Sequence, residues 1–258
     1  MASPALARLT QLLDTKKLAG TISRPLDHSR AVTPTGLGEM DDVLAGGWPQ
    51  GHLSEVHGPV SSGRTSVVLS TLASVTRKGG VVALVDVSDR FDALSAEAAG
   101  VVLDRVLWVR GPSMSSMASA APEAPWGRPT RGVGERALQT GIRAFDLIVR
   151  AGGFAVVVCD IADVPARDIR TLPAATWFRL AHAIEGRDTV GLLTGAHPMG
   201  RSAGGVSVAL RARGVWTGQS AQSRRLHGVR MTPQVAQRVT RVSGVGGASC
   251  SSASYATR

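Results

Sequence analysis

Residues 58 to 66 read Gly-Pro-Val-Ser-Ser-Gly-Arg-Thr-Ser, two glycines at fixed spacing with a run of hydroxyls and one guanidinium. They lie between an extended stretch, Leu53 to His57, and an apolar-periodic run that starts at Thr65. The pattern predicts a strand, a tight loop and a helix start. Such a loop aims successive backbone N–H groups at one small volume, backed by the positive end of the helix dipole, and so favours an anionic phosphate chain. The spacing is that of a Walker A loop. Gly58 and Gly63 sit at its turns, Ser61, Ser62 and Ser66 complete the candidate nucleotide-binding set, and Thr65 supplies the hydroxyl for Mg²⁺. Arg64 stands where that pattern has lysine. Arginine's planar fork binds phosphate well but puts its charge elsewhere than a compact ammonium does. Nucleotide binding survives that exchange more readily than fast hydrolysis.

Carboxylates form the second group. Phe154 to Cys159 is a buried-strand pattern closed by Asp160, the Walker B arrangement in which the carboxylate holds Mg²⁺ through water, so Thr65 and Asp160 are the candidate metal pair. Val81 to Val85 is a similar run ending in Asp86, near the crevice where open α/β sheets bind ligands, with Asp89 close behind.

These residues need an alternating scaffold, and the chain reads as one. Leu6, Leu9 and Leu13 mark a leading helix over 4–18, followed by an extended stretch; 1–34 is read as a helix and arm. Residues 35–215 carry the core: a short helix near Met40 to Leu44, strands at Leu53, Val81, Val106, Phe154 and Val190, and helices after Thr65, from Glu135 to Arg150, and around Trp177 to Ile184. Gly111 to Gly134 has no periodicity and is expected to be a mobile surface excursion. Val206, Val208 and Leu210 alternate with Ser207, Ala209 and Arg211, which predicts a half-buried strand with Arg211 and Arg213 outward. Residues 216–258 are read as a flexible basic extension, partly disordered. The fold class is α/β, a mostly parallel sheet flanked by helices.

The formal net charge of the 258 residues is +10, and its placement is uneven. No acidic residue follows Asp188, while nine arginines do. A polyanion, nucleic acid first, is the partner this predicts, through Arg201, Arg211, Arg213, Arg224, Arg225 and Arg230. Two cysteines make no disulfide framework, no apolar run approaches a membrane span, and no secretory leader is visible, so a reducing cytoplasm is expected.

The order of parts resembles the RecA family of strand-exchange ATPases over roughly residues 4 to 215. Thr35-Gly36-Leu37 through Gly51-His52 resembles that family's approach to its first strand, and Gly58 to Thr65 its Walker A loop. Leu84-Val85-Asp86 with Phe91-Asp92, Val156 to Asp160, and Pro198 to Gly205 resemble its second strand, its Walker B strand and a shortened second DNA-binding loop. The leading helix resembles the arm by which those proteins polymerise. The departures fall on catalysis. Ser88 stands in place of the water-activating glutamate, Ser95 in place of the adenine-stacking tyrosine, and Gly195-Ala196 in place of the γ-phosphate-sensing glutamine. The first DNA-binding loop is cut to Val164 through Ala174. Loss of an activating carboxylate removes a contribution of ~10²- to 10⁴-fold.

A worn catalytic set with an arginine-rich extension resembles the ImuA group, accessory proteins of SOS-induced mutagenic translesion synthesis. That resemblance implies RecA, an ImuB-like polymerase homologue and DNA, single-stranded above duplex, as partners. It also implies ATP and Mg²⁺ as the nucleotide and metal, little or no turnover, and a nucleoid-associated location. Two other readings share the core. One is a slow DNA-dependent ATPase in which Asp86 or Asp89 replaces the missing glutamate, and the other is a SulA-like division inhibitor.

Overall fold

The computed structural model describes residues 31–112, 133–199, 204–218, 220, 222–238 and 253–255. Two short strands, β1 (Val32–Thr33) and β2 (Trp48–Pro49), pair antiparallel around the helix α1 (Gly38–Leu44). Trp48, fully buried, anchors this segment: its indole N–H donates to Thr71 Oγ1 at 3.2 Å. The alternating part follows as β3 (Leu53–His57), α2 (Arg64–Arg77), β4 (Val82–Asp86), α3 (Ala93–Ala98), β5 (Val106–Arg110), α4 (Val133–Ala151) and β6 (Val156–Asp160). After it come α5 (Ala166–Ile169), α6 (Ala174–Ile184), β7 (Val190–Gly195), β8 (Val206–Thr217), β9 (Arg225–Arg238) and β10 (Ala253–Tyr255).

One sheet has the order β10-β9-β8-β3-β7-β6-β4-β5. From β8 to β5 every pair is parallel, whereas β9 runs antiparallel to β8 and β10 to β9. All residues of β3, β4 and β7 are buried, as strands covered by helices on both faces require, and in β3 these include the polar Ser54, Glu55 and His57. On one face Val67, Leu72 and Val75 of α2 pack on Val56, Leu84 and Val158; on the other Leu138, Phe145 and Leu180 of α4 and α6 pack on Val85, Val157 and Leu193. The expected α/β architecture with a mostly parallel, helix-flanked sheet is what the chain adopts.

The sequence placed the end of the core at residue 215, but β8 runs through that position and Arg225–Arg238 pairs with it along its length. This part of the basic extension is sheet. Val229, Met231, Pro233 and Val235 face inward to various degrees, while Arg230 and Gln234 are exposed. The leading helix and arm, the centre of the Gly111–Gly134 stretch, Arg201 and residues 239–252 lie outside the described residues.

Candidate nucleotide and nucleic-acid site

β3 delivers the loop to the carboxyl edge of the sheet. Gly58 N–H donates to Gly195 O at 3.2 Å, tying the loop's first residue to the end of β7, and Ser62 N–H donates to Pro59 O at 3.2 Å to close a turn. Ser61 (φ 62°) and Gly63 (φ 93°) take the left-handed conformation, which turns the chain into α2. Gly63 caps α2 without a side chain, so the first-turn N–H groups have no carbonyl partner within the helix. Thr65 and Ser66 are exposed on that turn.

Two buried polar atoms decide whether the loop suits an anion. Ser62 Oγ and Arg64 Nη1 are shielded from solvent and find no hydrogen-bond partner among the described residues. A buried unsatisfied donor costs ~1–3 kcal/mol, and phosphate oxygens would satisfy both. The residues therefore fit a phosphate chain: Gly58 and Ser61 to Ser66 would hold it, with Thr65 and Asp160 for a Mg²⁺ ion, which would neutralise phosphate charge there. Gly63 is closely covered from β9, since any β-carbon on it would run into the Met231 sulfur.

The carboxylates occupy one row of the sheet. Arg110, Asp86, Asp160 and Thr194 are register neighbours across β5, β4, β6 and β7. Asp86, 1% exposed, is used by the fold: Arg90 N–H (2.9 Å), Phe91 N–H (2.7 Å) and the Trp108 indole N–H (3.4 Å) donate to it. Asp89 accepts two bonds from Arg110, at 2.9 and 3.0 Å, and that guanidinium also lies 4.5 Å from the Trp108 ring. The hydrogen bond from Arg110 holds the Asp89 carboxyl below the usual range. Neither carboxylate is free to polarise water. Asp160 is the open one. Burial, with Asp86 and Asp163 nearby, pushes its carboxyl up to about 6, against the opposing pull of Ala162 N–H, which donates to it at 3.0 Å, and a smaller one from Arg64.

Three further positions singled out in the sequence have the following surroundings. Ser88 is buried and carries no carboxylate. Gly195 leaves a space at the end of β7 that Met199 fills, since a β-carbon there would meet its methyl and sulfur. The Ser95 hydroxyl is bound to Asp92, which caps α3 through the N–H groups of Leu94 and Ser95.

Arg211, Arg213, Arg224, Arg225 and Arg230 are gathered on the β8–β9 ribbon, all exposed. Sequence reasoning left out Trp216, 52% exposed at the ribbon's outer end with Arg224 5.4 Å from its ring. It also left out Glu55, a buried carboxylate on β3 that accepts Met199 N–H (2.8 Å) and the Ser207 hydroxyl (2.6 Å), fixing both ends of the β7–β8 crossover. An acidic residue at the centre of a strand directly before the phosphate loop is the signal that would have found it.

The family described as RecA N-terminal domain matches residues 21–119, the segment that contains the loop, β4 and β5. That stretch is RecA-like. Protein RecA of Prochlorococcus marinus (strain MIT 9303) is 41% identical over 102 residues, 38% of this chain and 27% of the relative. Protein RecA of Methylococcus capsulatus is 37% identical over 130 residues, 50% of this chain and 30% of the relative. With protein RecA of Saccharopolyspora erythraea the identity is 33% over 156 residues, 58% of this chain and 38% of the relative. The matched portion thus spans between about a quarter and two fifths of these RecA proteins. Among the described residues no helix is long and apolar enough to cross a membrane.

Proposed function

We propose that this chain is a RecA-like accessory protein of the ImuA kind, which binds nucleotide with little or no turnover and works on DNA beside RecA and an ImuB-like polymerase homologue during SOS mutagenesis. The observation that carries the reading is the split state of the site. The phosphate cradle keeps two buried, unpartnered donors, Ser62 Oγ and Arg64 Nη1, while Asp86 and Asp89 are both committed to protein partners. Binding has its parts, and water activation lacks a free base beside Ser88. The basic ribbon supports a polyanionic partner, and residues 4–18, whose sequence is read as a helix, are the candidate contact with RecA.

The test is ATP binding and hydrolysis by the purified chain with and without single-stranded DNA, beside Asp160→Ala, together with co-sedimentation on preformed RecA filaments. Nucleotide binding with flat turnover, and filament association that disappears when residues 1–24 are deleted, are expected. Turnover that rises with DNA and vanishes in Asp160→Ala would replace this reading with the slow DNA-dependent ATPase.

A further inference from the structure

We propose that Trp216, with Arg224 stacked on it, is a base-stacking platform at the outer end of the β8–β9 ribbon, and that it makes the ribbon a site for single-stranded nucleic acid. The inference rests on the DNA-binding reading above and goes further, to one residue and to strand type.

The ribbon's construction singles out this tryptophan. β8 pairs with β3 only over Ser207 to Ala209, so from Leu210 onward the two strands rise past the phosphate loop without a sheet neighbour on the β3 side. At ~3.4 Å per residue, Thr217 lies roughly 27 Å beyond that last pairing. An aromatic ring there has no core to join. Trp48 and Trp177 are buried, and Trp108 is covered by Phe91 and Arg110, whereas Trp216 keeps half its surface open, next to Leu226 at 56%. The ring is nonetheless positioned. A β-carbon at Gly214 would strike the indole nitrogen and Leu226, so glycine at that place lets the indole lie against the ribbon.

The register separates two faces. Arg213 stands opposite Arg230, and Arg211 opposite Thr232. Gly214 with Val229 and Trp216 with Leu226 are pairs of the other face, past a bulge between Val215 and Trp216. Arg213 and Arg230 therefore present two guanidinium groups on one face, where phosphate oxygens can accept from both. A single strand rounding the ribbon's end can lay phosphates along the arginine face and stack an unpaired base on the indole. A duplex keeps its bases inside and offers only phosphates. Base–aromatic stacking is sequence-tolerant because every base has a π-face, so strand type is what this platform discriminates.

The experiment measures fluorescence anisotropy of labelled oligothymidine, an abasic strand of equal length and a duplex, titrated with the full chain and with Trp216→Ala, Trp216→Phe and Arg213→Ala. Trp216→Ala should weaken oligothymidine binding about 5- to 100-fold and leave the abasic strand and duplex within about 2-fold. Its salt slope should match the wild type, and Trp216→Phe should restore most of the affinity. Arg213→Ala should weaken all three ligands and lower the slope by ~0.7 on the single strand. If Trp216→Ala melts early, Trp216→Leu keeps the apolar bulk without the stacking face and should show the same selective loss. Unchanged oligothymidine binding in both variants, or equal losses on the abasic strand, would overturn the platform alone. Absence of salt-sensitive binding by the wild-type chain would overturn the nucleic-acid reading with it.

Discussion

Asp86 and Asp160 share one rung of the sheet, yet their surroundings set them to different tasks. With loop N–H groups and an indole on its oxygens, Asp86 holds the turn that carries Arg90 and Phe91. Truncating it leaves buried donors without acceptors, so Asp86→Ala should lose ~2–4 kcal/mol in urea denaturation, and Asp86→Asn, which keeps one acceptor, should lose less. A loss below ~1 kcal/mol for the alanine variant would show that the turn does not depend on it. Asp160 behaves in the opposite sense. Its carboxyl is raised to about 6, chiefly by burial, above the value near 4 expected when unfolded. The folded chain therefore holds more protons between those values, and this group's contribution to stability falls as pH rises from about 4 to about 6, by up to ~3 kcal/mol. Asp160→Asn removes that term. Relative to wild type, the variant should gain stability between pH 4 and pH 7. Parallel denaturation midpoints across that range would mean that the Ala162 N–H bond and Arg64 together offset the burial fully.

Among the elements, the contact between the end of the phosphate loop and β9 is the least expected. Met231 of β9 lies against Gly63, the residue that turns the loop into α2. Gly63→Ala meets two obstacles, the left-handed φ of 93° and the Met231 sulfur. A loss of about 2–4 kcal/mol is expected, of which only the ~1–2 kcal/mol of backbone strain should persist in a Met231→Ala background. Additive losses in that double-mutant cycle would place the sulfur elsewhere. The parallel strands were legible from the sequence because buried β-branched runs between helical stripes have few other uses, and the phosphate loop because its glycine spacing is local. β9 was not. Its alternation of Val229, Met231, Pro233 and Val235 with Arg230, Thr232 and Gln234 has the period of a strand, but the surrounding arginines and Pro233 read as extension, and only pairing with β8 gives the segment a partner. Trp216 was missed for a related reason. A tryptophan in a sequence is more often core than surface, and its exposure depends on where the sheet stops.

Taken whole, the molecule divides its chemistry by face and by end. The carboxyl edge of the sheet gathers the phosphate loop, Asp160 and the root of the ribbon, and the ribbon then carries the positive charge outward. Long-range closure by Glu55, which reaches a residue 144 positions later, gives the crossover between β7 and β8 its path, and no local pattern announces such a contact. The same separation in sequence bears on how the phosphate loop is completed. Gly63 and its helix leave the ribosome early, whereas Met231 is synthesised only after most of the described chain. During translation the loop therefore emerges before its sulfur cover exists. The order of synthesis, as well as the finished fold, decides when the loop gains that cover.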